Sequence, residues 1–178
     1  MSQFLSRHLT ISVFLVFGLM VCGARTQATE ISGIISTTLT ISADSELTGD
    51  VTCTVSNAPC IAIAASHVTL QLNGFTITGQ ADPKTACNGG PTTFNPATEE
   101  TAIAVYGQTD VTIRGPGLIR QFRGAGMFAN NSVGVTVKDV TVSTNCRSGI
   151  LVGGGSNHHV IHNVSVRNGN SSFPCGGI

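Results

Sequence analysis

Three stretches in the second half of this chain recur at a fixed interval. Ile113-Arg114-Gly115, Val137-Lys138-Asp139 and Ile161-His162-Asn163 lie 24 residues apart, and Leu118, Val142 and Val166 follow in the same phase. A second marker agrees: Ala102-Ile103, Gly126-Met127, Gly149-Ile150 and Gly177-Ile178 place a small residue before an aliphatic one at spacings of 24, 23 and 28. The segment CIAIAASHVTLQLNGFTITG, residues 60–79, reads as an earlier copy. A unit of this length cannot bury its own apolar stripe, so it must stack on its neighbours.

The units are built of strands. Between residues 29 and 178, Val and Ile together number 27 against six Leu, and no stretch of helical length shows apolar residues recurring at three and four. Scarce leucine also removes leucine-rich repeats, which share the period. What remains is an all-β coil of parallel strands in which Val135, Val137, Val140 and Val142 point inward, with successive strands about 4.8 Å apart. Glycine and asparagine punctuate the chain at the close intervals that short strands need.

The run GILVGGGSNHHVIHNVSVRNG, residues 149–169, resembles the repeat of right-handed parallel β-helix proteins of the pectate-lyase-like superfamily, in the secreted bacterial form. There G-I opens a rung and N-x-[VIT] follows a turn. The resemblance covers residues 60–178, with an entry coil at about 30–60, a loop insert at 80–101 and regular rungs at 102–178. It implies a right-handed parallel β-helix, a solenoid with rungs of about 24 residues. The chain stops on Gly177-Ile178, the opening of a rung, so it is expected to be the N-terminal fragment of a longer protein. The fold hosts lyases, hydrolases, epimerases, adhesins and non-catalytic proteins, and does not choose among them.

Residues 1–28 read as a secretory signal peptide: Arg7 and His8 precede an apolar run from Leu9 to about Cys22, and Thr26-Gln27-Ala28 supplies the small-residue cleavage site. The run is too short for a stable membrane span. Beyond it, seven Lys and Arg face nine Asp and Glu. Such a near-neutral balance lacks the basic excess of a nucleic-acid binder. A secreted location, extracellular, periplasmic or at the cell surface, favours disulfides. Cys53 and Cys60 bracket TVSNAP and are expected to close a small loop. Cys146 and Cys175, on adjacent rungs, are expected to pair, leaving Cys87 without an assigned partner.

The triplet His158, His159 and His162 invites a metal reading. On an extended strand, however, His158 and His162 would stand roughly 13 Å apart at about 3.3 Å per residue, with His159 on the opposite face. Zinc nitrogens must converge within about 2.1 Å of the ion. No metal and no cofactor is therefore assigned. Asp139 and Asn163 fall at one turn, a rung apart, where short polar side chains satisfy backbone groups and stack as a ladder. In the insert, Asp82, Lys84, Glu99 and Glu100 are the only charges, and the adjacent glutamates read as solvated loop residues.

One column stands out. Counting by 24 superposes Arg114, Lys138 and His162, with Gln71 a rung earlier, as an outward ladder suited to an acidic glycan. The expectation is an exported, non-catalytic β-helix protein that binds polysaccharide or another cell-surface partner through these three residues. A carbohydrate-active enzyme, a polysaccharide lyase or glycoside hydrolase with its catalytic rungs mostly beyond residue 178, is the alternative. The acidic calcium cluster of pectate lyases has no counterpart, since Asp110 and Asp139 are isolated in different phases. A third idea, a periplasmic protein serving copper enzymes, rests only on the histidines and cysteines.

Overall fold

Alternating Val, Ile and Thr favour extended backbone, and short strands separated by tight turns are what forms. The computed structural model describes residues 27–81 and 99–169, and among them there is no helix. The strands are β1 (Thr29–Ile35), β2 (Leu39–Ile41), β3 (Ser45–Cys53), β4 (Ile61–Ile63), β5 (Thr69–Gln71), β6 (Thr76–Thr78), β7 (Ile103–Tyr106), β8 (Thr112–Arg114), β9 (Leu118–Arg120), β10 (Met127–Val133), β11 (Thr136–Lys138), β12 (Thr141–Ser143), β13 (Ile150–Ser156), β14 (His159–Ile161) and β15 (Val164–Val166). The expectations for the leader, for Cys87 and Cys175, for Gly177-Ile178 and for most of the 80–101 insert fall outside the described residues.

The fold is all-β, and its strands pair in parallel. One sheet runs β2-β4-β7-β10-β13. The other has β3 at its middle, flanked by one arm β5-β8-β11-β14 and a second arm β6-β9-β12-β15, with β1 beside β3. The period seen in the sequence marks strands that lie side by side: from β7 onward, each repeat supplies one strand to the first sheet and one to each arm.

Stacking places like residues in columns. Leu39, Ile61, Ile103, Met127 and Ile150 form one, and Ile41, Ile63, Val105, Ala129 and Val152 a second. On the two arms the inward columns are Leu70, Ile113, Val137 and Val160, and Ile77, Ile119 and Val142. These belong to a single apolar cluster, and most are completely removed from water. Val135, Val137, Val140 and Val142 point inward as expected. Burying one such side chain stabilises by about 1.5–3 kcal/mol relative to leaving it exposed, so the columns are the main source of cohesion between repeats.

The register departs from the sequence count at one place. Val137 pairs with Ile113 at a spacing of 24, but its next partner is Val160, not Ile161. Thr141 likewise pairs with Leu118, and Val142 with Ile119 rather than Leu118. The cause is turn length. Residues 115–117 connect β8 to β9, while only Asp139 and Val140 connect β11 to β12, so every later pairing has a spacing of 23. A shift of one residue exchanges the two faces of a strand, and Ile161 accordingly lies outward at 37% exposure. Gly115 is required in the longer turn, because a Cβ there would fall on the carbonyl oxygen of Asp139 in the next repeat.

Turns stack as regularly as strands. Left-handed backbone recurs at Gly107, Asn131 and Gly154, at His67, Asp110, Gly134 and Asn157, at Asp139 and His162, and at Gln121, Thr144 and Arg167. Asparagine side chains tie successive turns together. The Asn145 carbonyl oxygen accepts from the Phe122 amide at 3.0 Å, while the Asn168 carbonyl oxygen accepts from both the backbone N–H and the side-chain amide of Asn145, each at 3.0 Å. Asn168 in turn donates to the Val142 carbonyl. Asn163 bonds the Val140 amide and the Val137 carbonyl, both at 2.8 Å, satisfying turn groups as the sequence suggested. Its turn neighbour is Val140, however, and it is His162 that stacks on Asp139. Near the start, Cys53 and Cys60 form a disulfide with Cα atoms 6.0 Å apart, and Cys146 is also disulfide-bonded.

Candidate functional site

Three-residue strands with one inward side chain leave two outward ones each. On the arm through β5, β8, β11 and β14 these make two columns. Thr69, Thr112, Thr136 and His159 form one; Gln71, Arg114, Lys138 and Ile161 form the other, with Glu46 of β3 beside Gln71. Adjacent members stand about 4.8 Å apart. Two of the three expected ligand-binding residues, Arg114 and Lys138, are therefore neighbours on one exposed face.

His162 is not in that column. The one-residue shift puts Ile161 there instead and moves His162 to the following turn, where its Nδ1 lies 3.6 Å from Oδ1 of Asp139. Asp139 also approaches Lys138, Oδ2 to Nζ at 3.9 Å, with both side chains about two-fifths exposed. Water and salt screen contacts of this kind, so Lys138 keeps most of its field. Arg114 has no carboxylate partner among the described residues. Around the corner of the same repeat, Arg120 donates through Nε to the Thr78 hydroxyl at 3.2 Å.

The other histidines are dispersed. His158 accepts from the Val135 amide and contacts the Gly154 carbonyl, so its ring serves a turn. His159 starts β14 with its side chain outward in the threonine column. His67 faces Asp110 at 3.5 Å in another turn. Among the described residues, no three His, Cys, Asp or Glu side chains come together in a metal-binding group.

The glutamates at the end of the insert are the clearest departure from the sequence reading. Glu99 is 2% exposed, with Oε1 2.5 Å from Nε of Arg147, which is itself buried. Neither Glu99 oxygen has an aligned hydrogen bond, and the Thr101 hydroxyl beside it in sequence is buried and unpartnered too. Burial raises the Glu99 pKa, outweighing the Arg147 charge and its hydrogen bonding, which lower it. Glu100 receives Nη1 of Arg123 on both oxygens at 3.1 Å and accepts from the Asn57 amide at 3.2 Å. Arg123 and Arg147 occupy like positions 24 residues apart. That match of two basic residues with two consecutive acids was the available signal. These pairs fasten the chain after the insert onto two successive repeats; no open cleft accompanies them.

Comparison with protein-family models, curated proteins and solved structures returns no match for this chain. Its chemistry has to be argued from its own residues. The Cys53–Cys60 bond indicates an oxidising, non-cytoplasmic setting, and no helix among the described residues is long and apolar enough to cross a membrane.

Proposed function

We propose that this chain is part of a right-handed parallel β-helix of the pectate-lyase-like type, exported from the cell, and that its Gln71–Arg114–Lys138 column binds an acidic polysaccharide. The observation that carries the reading is the in-register pair of cations on an exposed parallel sheet, with no carboxylate on Arg114 among the described residues. A guanidinium grips a carboxylate through two parallel hydrogen bonds, and an ammonium adds a point charge beside it. Flanking threonine hydroxyls at Thr112 and Thr136 offer further hydrogen bonds to sugar hydroxyls. The strip is short, and Asp139 borders it, so affinity is expected to be modest and to fall as salt rises.

The test replaces Arg114 and Lys138 together by Gln and measures binding to uronate oligosaccharides at low and high salt. Loss of a salt-sensitive affinity supports the proposal. Unchanged affinity in the double variant, or no binding by the parent protein, refutes it.

A further inference from the structure

The opposite side of the molecule has a different character. Outward positions of the β2-β4-β7-β10-β13 sheet carry no charged residue: the strands read LTI, IAI, IAVY, MFANNSV and ILVGGGS. Ala104 and Phe128 share one outward column with Leu151, and Tyr106, Asn130 and Gly153 share the next. Tyr106 is 49% exposed, while Phe128 beside it is 2% exposed.

The tyrosine is held in place. Its ring meets the Phe128 ring edge to face, centroids 6.5 Å apart at 61°, and its hydroxyl accepts from the Asn130 side-chain amide at 3.1 Å. A fixed aromatic ring with half its surface in water is an unusual way to leave apolar area unless a partner covers it. Next to it, the Asn130 carbonyl oxygen has no hydrogen-bond donor among the described residues. It points over Gly153, where a Cβ would sit 3.4 Å away in ordinary contact. The space above Gly153 is thus open because the residue there is glycine, and not because the backbone demands it.

We infer that Tyr106, Asn130 and Gly153 form a subsite for one uncharged pyranose ring. The apolar C–H face of the sugar lies on the Tyr106 ring, a ring hydroxyl donates to Asn130 Oδ1, and the absent side chain at Gly153 admits the next ring of the oligosaccharide. An aromatic wall with a few fixed polar groups is the usual composition of a small-molecule site, and the lack of charge on this face selects a neutral sugar over a uronate. The inference rests on the reading of the protein as a polysaccharide binder, yet it uses a separate face and a separate chemistry from the Arg114–Lys138 column.

The chain supplies its own reporter, since it has one tyrosine and no tryptophan. Tyrosine emission of the full chain is to be titrated with neutral hexaoligosaccharides of gluco, manno and galacto configuration, and affinities of variants measured by calorimetry. The expected result is a saturable emission change with at least one of them, insensitive to salt. Tyr106→Ala and Gly153→Leu should each weaken binding tenfold or more; Tyr106→Phe should retain most of it, which separates stacking from folding. Arg114→Gln with Lys138→Gln should leave it unchanged. No saturable change with any of the three sugars, or full affinity in a folded Tyr106→Ala protein, overturns the subsite. Neutral-sugar binding lost in the Arg114/Lys138 variant also overturns it, by moving the sugar to the other face. If uronates fail to bind while neutral sugars do, the acidic-polysaccharide reading falls and the subsite stands.

Discussion

Removing Arg147 should strand a buried carboxylate. Glu99 and Arg147 are both nearly inaccessible to water, and Glu99 has no other hydrogen-bonding partner. Breaking such a pair by deleting one member costs about 3–5 kcal/mol, because the remaining charge is desolvated and uncompensated. We expect Arg147→Met to lose that much at neutral pH in urea denaturation with the disulfides intact. The loss should depend on pH with a definite sign. Glu99 has a raised pKa in the folded state, so it binds its proton more tightly folded than unfolded. The stability this confers is fully present below the unfolded carboxyl value and is lost as pH rises through the folded one. In Arg147→Met the two influences that lower the pKa disappear, the folded value climbs further, and the window widens. Within it, each pH unit of acidification should return up to about 1.4 kcal/mol to the variant. Glu99→Gln should also destabilise, with no such pH dependence from this position. The double variant Glu99→Gln/Arg147→Met should lose less than the sum of the singles, by about 2 kcal/mol or more, which also subtracts any other contact that Arg147 makes. Additive losses, or an Arg147→Met penalty that is flat between pH 4.5 and 7, would refute the reasoning. Arg123→Met is the internal comparison: its pair with Glu100 is 40% and 13% exposed, and the expected loss is about 1 kcal/mol or less.

Asn145→Ala removes the acceptor of the buried Phe122 amide and a donor to Asn168, and should cost about 1–3 kcal/mol in the same assay; a neutral effect would mean that the stacked amides are replaceable by water. Gly115→Ala should cost more than the few tenths to 1 kcal/mol of an ordinary turn glycine, because the methyl group meets the Asp139 backbone and not a movable side chain. A thermal midpoint within a degree of the parent would show that the turn can shift to admit it.

Strand content, parallel stacking and the inward valines were legible because each is a local pattern repeated several times, so one ambiguous residue is outvoted by its copies. Ala102-Ile103, Gly126-Met127 and Gly149-Ile150 located the β7-β10-β13 stack, and TVSNAP between Cys53 and Cys60 located a disulfide. His162 was misplaced for a physical reason: turn length is set by backbone geometry, and the change from three residues at 115–117 to two at 139–140 leaves no trace in hydrophobic periodicity. Ile161 and Val160 are both aliphatic, so the pattern could not tell which faces inward. Glu99 and Glu100 were misread as solvated because their partners, Arg147 and Arg123, lie 48 and 23 residues away, and only stacking brings them near. Tyr106 drew no notice in the sequence, since a single aromatic has no periodicity.

A chain of near-identical units faces a hazard that an irregular one escapes: a strand can dock on the wrong copy, skipping or repeating a layer, with almost the same burial as the correct partner. Such errors are the characteristic failure of repetitive chains. The Asn145–Asn168 amides work against it. Oδ1 of Asn168 fits only a layer that presents another asparagine at that corner, and a skipped layer would set it against Gln121, leaving buried amide groups without partners. The unequal turns act in the same direction, because β15 matches the short connection after β11 and not the longer one after β8. Small irregularities in an otherwise periodic sequence thus serve as addresses, telling each layer which neighbour is its own while the chain is still assembling.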